Sequence, residues 1–263
     1  MRELQTVRFE LDDGVARVTL NRPDAANAMN TQRTKDLLEV GIECDENPEV
    51  RAVLLRSEGR MLCAGGDLAS FAKAGDALPR SLKEMTVYLH AAITRLTRGS
   101  APVVAAVQGP AAGAGFSIAC AADLVVASDQ AVFTMAYTRA GLTPDGSSTY
   151  FLPRLLGRHR ALELILMNRT LSATEAQEWG IVNEVVPANE LDARAVDLAR
   201  KLAAGPTWAF GAARQLVMRS FSEDLESQME FESQAIADAA RTEDAAEGIA
   251  AFFEKRRASF SGR

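Results

Sequence analysis

Three short stretches carry the residue types and spacings that could do chemistry. Leu62-Cys63-Ala64-Gly65-Gly66-Asp67 and Gly109-Pro110-Ala111-Ala112-Gly113-Ala114-Gly115 are glycine loops that each follow an apolar run, Val53-Leu54-Leu55 before the first and Val103-Val104 with Val107 before the second. Backbone N–H groups in such loops, and in the first turn of a helix, have no internal partner, so they can receive an oxygen on which negative charge develops. Residues without bulk let that oxygen come close. The third stretch, Thr143-Pro144-Asp145-Gly146-Ser147-Ser148, offers a carboxylate that could take and return a proton. Each stretch also has a plain reading: either loop as a tight turn between a strand and a helix, and Asp145 as a turn or N-cap residue. Acting together, the two loops would polarise a carbonyl and the acid would work on the carbon beside it.

The elements that must position these stretches follow from periodicity. Residues 103–107 read as a buried strand, and Phe116, Ile118, Ala119 and Ala121 predict a short buried helix that begins near Ala114. Upstream, 7–11 and 15–20 alternate at period two around Asp12-Asp13-Gly14, which predicts a hairpin. Thr31 is expected to cap a helix carrying Leu37, Leu38, Val40 and Ile42 that stops at Asn47-Pro48, and a strand follows at 52–57. A polar segment with Gly75 and Pro79 leads into a helix with Leu82, Met85, Leu89, Ile93 and Leu96 at spacings of three and four. His90 beside Leu89 reads as a packing or surface residue. Two strands are expected at 124–127 and 131–135, a capping box at Ser172 and Glu175, a helix stop at Gly180 and a last strand at 181–186. From Leu191 onward the pattern is helical, with breaks at Gly205-Pro206 and near Arg241-Thr242. The class is therefore α/β, with a core over 1–204 and a helical region over 205–263. Phe210, Phe221, Met229, Ile249, Phe252 and Phe253 give that region more apolar surface than a short tail can bury on itself, so it calls for a partner surface.

Composition excludes several classes. With 263 residues, 48% hydrophobic and 24% charged, the chain can bury a sizeable core and shows no sign of disorder. A net charge of −6 without a basic stripe gives no footprint for nucleic acid. Cys44, Cys63 and Cys120 lie far apart and there are two histidines, so no metal site is expected. No apolar run approaches membrane-spanning length, the first residues lack a signal-peptide core, and Ser261-Gly262-Arg263 is no peroxisomal address. The expectation is a cytoplasmic protein with no membrane contact.

Five motifs in this order, NRPDAANAMN, MLCAGGDL, PVVAAVQGPAAGAGFSIACAADLVVAS, LSATEAQEWGIVNEVV and EDAAEGIAAFFEKR, resemble the crotonase, or enoyl-CoA hydratase/isomerase, superfamily over nearly the whole chain. The resemblance implies a spiral of ββα units followed by C-terminal helices that build a homotrimer or a dimer of trimers. It implies an acyl-coenzyme A substrate, with no cofactor beyond the coenzyme A of that substrate. Gly66 and Ala114 would supply the two N–H donors that hold the thioester oxygen as an enolate. Arg22 would contact phosphate, Ala64, Asp67 and Leu68 would lie near adenine and pantetheine, and Lys255 on the last helix would add charge from a neighbouring subunit. Hydratases of the family have two glutamates where this chain has Ser117 and Tyr137. Neither replaces a carboxylate near neutral pH, so hydration is disfavoured. Family members that shift a double bond from Δ3 to Δ2 have one acid at the place of Asp145, which points to an enoyl-CoA isomerase of lipid metabolism with Asp145 as proton shuttle. Coenzyme A-dependent dehalogenases of the family offer the alternative of Asp145 as nucleophile and His90 as base, although they have tryptophan at the place of Tyr137. A non-catalytic acyl-CoA binder is the third reading.

Overall fold

The hairpin that opens the fold is built by β1 (Val7–Asp12) and β2 (Val15–Leu20), antiparallel with Asp12 opposite Val15. Asp13 and Gly14 between them have φ of 48° and 75°, which matches the twist of the flanking strands. The structure, a computed structural model, describes residues 4–263. Helix α1 (Thr31–Glu46) is capped by Asn30 and not by Thr31: Asn30 Oδ1 accepts from the Arg33 N–H at 2.9 Å. Asn30 holds the extended backbone that a cap requires, and Thr31 is already helical. Strand β3 (Ala52–Ser57) comes next. The expected polar segment then contains a helix, α2 (Leu68–Ala74), whose cap is Asp67 with its carboxylate on the Ser70 N–H. Pro79 falls in the first turn of α3 (Leu78–Arg98), where its missing N–H costs nothing.

The middle of the chain runs through β4 (Val103–Val107), β5 (Ala111–Ala112), α4 (Ala114–Ala121), β6 (Leu124–Ser128) and β7 (Val132–Thr134). It continues through α5 (Ser148–Leu156), α6 (Arg158–Met167), β8 (Leu171–Ser172), α7 (Ala173–Glu178), β9 (Glu184–Val186) and α8 (Leu191–Ala203). The last three helices are α9 (Thr207–Arg219), α10 (Leu225–Ala239) and α11 (Glu243–Glu254). The main sheet has the order β1-β2-β3-β4-β6-β9 and is parallel apart from its first pair. A second, small sheet has the order β5-β7-β8. Strands of two residues show no period, so β5 and β8 are not legible in the sequence. The strand expected at 181–186 is shorter than predicted, because the Ile181 and Val182 N–H groups bond the Ala176 carbonyl instead of a strand.

Alternate residues of the parallel strands feed two cores. Val53, Leu55, Val103, Ala105 and Val107 pack toward α1, α3 and α4. Ala52, Leu54, Val104, Ala106 and Val126 pack toward α8, which meets them with Ala195, Ala199 and Ala203 at spacings of four. Burial on both faces is why these strands read as continuous apolar runs rather than as alternation. The C-terminal helices differ. Arg214 ties α9 to the body through Asp123 and the Leu96 and Ala101 carbonyls, but α10 buries none of its residues. Leu225, Met229, Ile236, Phe252 and Phe253 are exposed. Among the described residues no helix is long and apolar enough to cross a membrane.

Candidate active site

The two glycine loops are joined by backbone pairing. Cys63 and Ala111 form a parallel bridge, with the Leu62 N–H on the Pro110 carbonyl at 3.1 Å and the Ala112 N–H on the Cys63 carbonyl at 2.8 Å. On its other side the first loop is bridged to Met29, which donates to the Gly65 carbonyl at 2.7 Å and accepts from the Asp67 N–H at 2.8 Å. Glycine is required where the loops touch. A Cβ on Gly113 would lie 3.2 Å from Gly65 Cα, and a Cβ on Gly115 would lie 2.5 Å from the Cys63 carbonyl oxygen. Among the described residues neither the Gly66 nor the Ala114 N–H meets an acceptor. Both residues line one cavity of about 240 Å³. Beneath them the Cys63 sulfur accepts from the Gly65 N–H at 3.3 Å. Burial pushes that thiol up to about 11, so it stays protonated near neutral pH.

Phe71, Leu82, Met85 and Leu89 form the apolar wall of the cavity. The ring of Phe71 covers Gly66 so closely that a Cβ there would be 2.6 Å from Phe71 Cε2. The 3.6-residue stripe of α3 predicts Leu82, Met85 and Leu89 as core, and a core face and a pocket wall have the same pattern, whereas Phe71 comes from α2. Asp145 is the one carboxylate lining the cavity among the described residues. It is not the cap of α5: its carbonyl accepts from Ser148, while its Oδ1 accepts from the Tyr137 hydroxyl at 2.6 Å. Oδ2 has no donor among the described residues. Tyr137 Oη is in turn 3.0 Å from Ser117 Oγ, and Ser117 is fully buried. Burial, and then the neighbouring Asp145 carboxylate, push the Tyr137 phenol far above the ordinary tyrosine range, so it acts as a neutral donor. His90 is exposed and is not among the residues lining the cavity, and its Nε2 accepts from the Gly146 N–H at 3.3 Å.

Of the residues expected to hold coenzyme A, Arg22, Ala64, Asp67 and Leu68 gather at the first glycine loop and Lys255 lies apart. Ala64 and Leu68 line the cavity, Leu68 as an exposed side chain at its mouth. Arg22 donates to Asp67 Oδ2 at 2.8 Å and to the Ala28 carbonyl at 3.0 Å, so its guanidinium pins the first loop. Burial alone would raise the Asp67 carboxyl, but hydrogen bonds from Arg22 and Ser70 outweigh it and hold Asp67 below the usual carboxylate range. Lys255 sits at the C-terminal end of α11 with φ of 54° and does not line the cavity, nor does any residue of the C-terminal helices. Asn27 and Arg33 are supports that sequence reading missed. Asn27 Nδ2 donates to the Glu58 and Met61 carbonyls, and fully buried Arg33 donates to the Asn27 and Thr6 carbonyls at 2.9 and 3.0 Å. An arginine at helical spacing carries no mark of burial in the sequence. Among the described residues no cluster of His, Cys, Asp and Glu could hold a metal ion.

The comparisons with known proteins agree with this architecture. The family model described as enoyl-CoA hydratase/isomerase matches residues 10–263. The 1,2-epoxyphenylacetyl-CoA isomerase of Escherichia coli is 35% identical over 262 residues, 99% of this chain and 100% of that protein. The 4-chlorobenzoyl coenzyme A dehalogenase-2 of an Arthrobacter species is 36% identical over 95% of this chain and 91% of its own. The crystal structure of an enoyl-CoA hydratase from a Polaromonas species superposes with a TM-score of 0.92 at 33% identity, covering 97% of this chain and 99% of that one. Three reactions are named among these relatives, so the family is fixed and the reaction is not. The chain belongs to the enoyl-CoA hydratase/isomerase, or crotonase, family and is an enzyme acting on acyl-CoA thioesters.

Proposed function

We propose that the enzyme is a Δ3,Δ2-enoyl-CoA isomerase in which Asp145 shuttles one proton. The observation that carries this reading is that, among the described residues, Asp145 is the single carboxylate lining a cavity that also contains two backbone donors without an acceptor. With the thioester oxygen on the Gly66 and Ala114 N–H groups, Asp145 Oδ2 takes a proton from C2 and the C2–H electron pair enters a dienolate. Collapse of the dienolate makes the C2=C3 bond, and the same proton forms the new C4–H bond, so no other reactant is consumed. Negative charge moves onto an oxygen held by preorganised dipoles, the setting in which such donors contribute most. Water addition is disfavoured because Ser117 and Tyr137 are bonded to each other and supply no second carboxylate.

The test is incubation of a 3-enoyl-CoA with the enzyme and with Asp145→Asn. Formation of the conjugated product is expected from the first and its loss from the second, with acyl-CoA binding retained. Activity that survives in Asp145→Asn would remove the proposal. A second reading has its own observation: His90 Nε2 lies one residue from Asp145, and a relative is named as a dehalogenase. There an Asp145 oxygen would bond to the ring carbon of a halogenated aroyl-CoA, chloride would leave with the C–Cl pair, and water would cleave the resulting ester. Chloride release from 4-chlorobenzoyl-CoA, dependent on His90, would favour it. The exposed apolar side chains of α10 and α11 support assembly as a trimer or dimer of trimers, and light scattering at three or six times the chain mass is the expected result.

A further inference from the structure

We infer that Tyr137, backed by Ser117, is a positioning residue that fixes one oxygen of Asp145 so that the other alone carries the proton. The inference rests on the reading of Asp145 as the base. Tyr137 donates to Asp145 Oδ1 at 2.6 Å, a short charge-assisted bond. Ser117 Oγ lies 3.0 Å from that phenol and 3.2 Å from the Gly113 carbonyl. Gly113 C=O and Ala114 N–H belong to one peptide group, so the serine joins the acid's tyrosine to a donor of the oxyanion site. When Asp145 is ionised, the phenol proton goes to the charged acceptor. Ser117 is then left to donate to the phenol or to the Gly113 carbonyl. Bonds in such a chain reinforce one another.

The backbone fixes the same geometry. Ala136, Gly146 and Ser147 all have positive φ, at 52°, 58° and 69°. A Cβ on Gly146 would lie 3.1 Å from Ser117 Cβ, so the acid's loop rests on the serine. Left-handed conformations at two non-glycine residues persist only where the surroundings impose them. The two places where the family's hydratases have glutamates are thus filled here by a pair that aims the remaining acid.

The experiment uses a 3-enoyl-CoA deuterated at C2 and follows kcat, KM and the fraction of deuterium recovered at C4. Tyr137→Phe should lower kcat about tenfold to a hundredfold, with KM changed less than about threefold. The fraction transferred to C4 should fall at least by about half, because a freed carboxylate can lose the label to solvent before returning it. Ser117→Ala should move both readouts in the same direction by less. A kcat within about twofold of the parent with an unchanged transferred fraction, or a loss confined to KM, overturns the inference. If Tyr137→Phe does not fold, 3-fluorotyrosine in a Tyr88→Phe, Tyr150→Phe background keeps the ring and strengthens the donor. An unchanged kcat and transferred fraction in that protein also overturns it. Asp145→Asn that remains active removes the underlying reading as well, and so separates the two failures.

Discussion

Gly113 and Gly75 make a matched pair that isolates what contact between the two loops is worth. Gly113 has φ 50° and ψ −122°, and Gly75 has φ 49° and ψ −128°. An L-residue is strained equally in both, by about 1–3 kcal/mol. That backbone strain should therefore lower the apparent Tm of either alanine variant by a similar amount, roughly 2–12 °C at about 2–4 °C per kcal/mol for a chain of this size, to which the contact at Gly113 adds. Their surroundings differ. A Cβ on Gly75 meets nothing within 4 Å, whereas one on Gly113 lies 3.2 Å from Gly65 Cα and 3.8 Å from Tyr137 Cε2. Relief of the 3.2 Å contact needs a shift of a few tenths of an ångström between the loops, and that shift moves the Ala114 N–H relative to the Gly66 N–H. Removal of one oxyanion donor costs about 10²–10³ in kcat, so a partial displacement should cost about tenfold to a hundredfold. The assay is kcat for isomerisation beside thermal unfolding of Gly113→Ala, Gly75→Ala and the parent. Equal kcat in the two variants would show that the loops are not aligned by this contact, and the reasoning would fail.

Asp145→Asn should lose about 10²–10⁴ in kcat while titration calorimetry with an acyl-CoA shows unchanged affinity; loss of affinity alone would refute the assignment. Arg33→Met should strand the buried Asn27 carbonyl and take one of two donors from the Thr6 carbonyl, which keeps the Asn21 N–H, and cost about 2–5 kcal/mol in urea unfolding; a cost below about 1 kcal/mol would mean the guanidinium is dispensable. Asp67 titrates lower when folded, so its contribution is complete above the unfolded carboxyl pKa near ~3.9 and is lost as pH falls through the lower folded value. Asp67→Asn should therefore flatten the decline in stability below about pH 4, and superimposable acid-unfolding curves would contradict the Arg22–Asp67 pairing.

Legibility in the sequence followed the range of the interactions. The hairpin, the strands at 52–57 and 103–107, the capping box at Ser172 and the start of α4 at Ala114 each depend on residues within a few positions, and each is found where it is expected. The Asn30 cap was missed because Asn and Thr in succession both suit the position, and only backbone conformation decides. Asp145 was ambiguous for the opposite reason. In sequence it neighbours a helix start, but its side chain answers to Tyr137, eight residues earlier, and through it to Ser117 on another element. Arg22, which the resemblance places near phosphate, lies 2.8 Å from Asp67, forty-five residues later. Pairings of this kind are made by topology, which no local pattern contains.

The division of labour in the site explains why one scaffold is found with several reactions. The proposed oxygen-binding groups are main-chain N–H groups of Gly66 and Ala114, which substitution of their own side chains cannot delete. They are held by backbone bridges from Cys63 to Ala111 and from Met29 to Gly66. What faces them is side chain: Asp145, Tyr137 and Ser117 as one hydrogen-bonded set, His90 against the Gly146 N–H, and an apolar wall from α3. On the proposed reading, stabilising an enolate or its equivalent is built into the chain path, while what happens at the neighbouring carbon depends on a few replaceable groups. Exchange of those groups costs little folding stability if they line a cavity, and a great deal if they are packed. Tyr137 and Asp145 line the cavity and Ser117 is packed behind them. On this argument changes at 137 and 145 alter the reaction with small effects on Tm, whereas a bulky residue at 117, pressed against Gly146, disturbs folding and catalysis together.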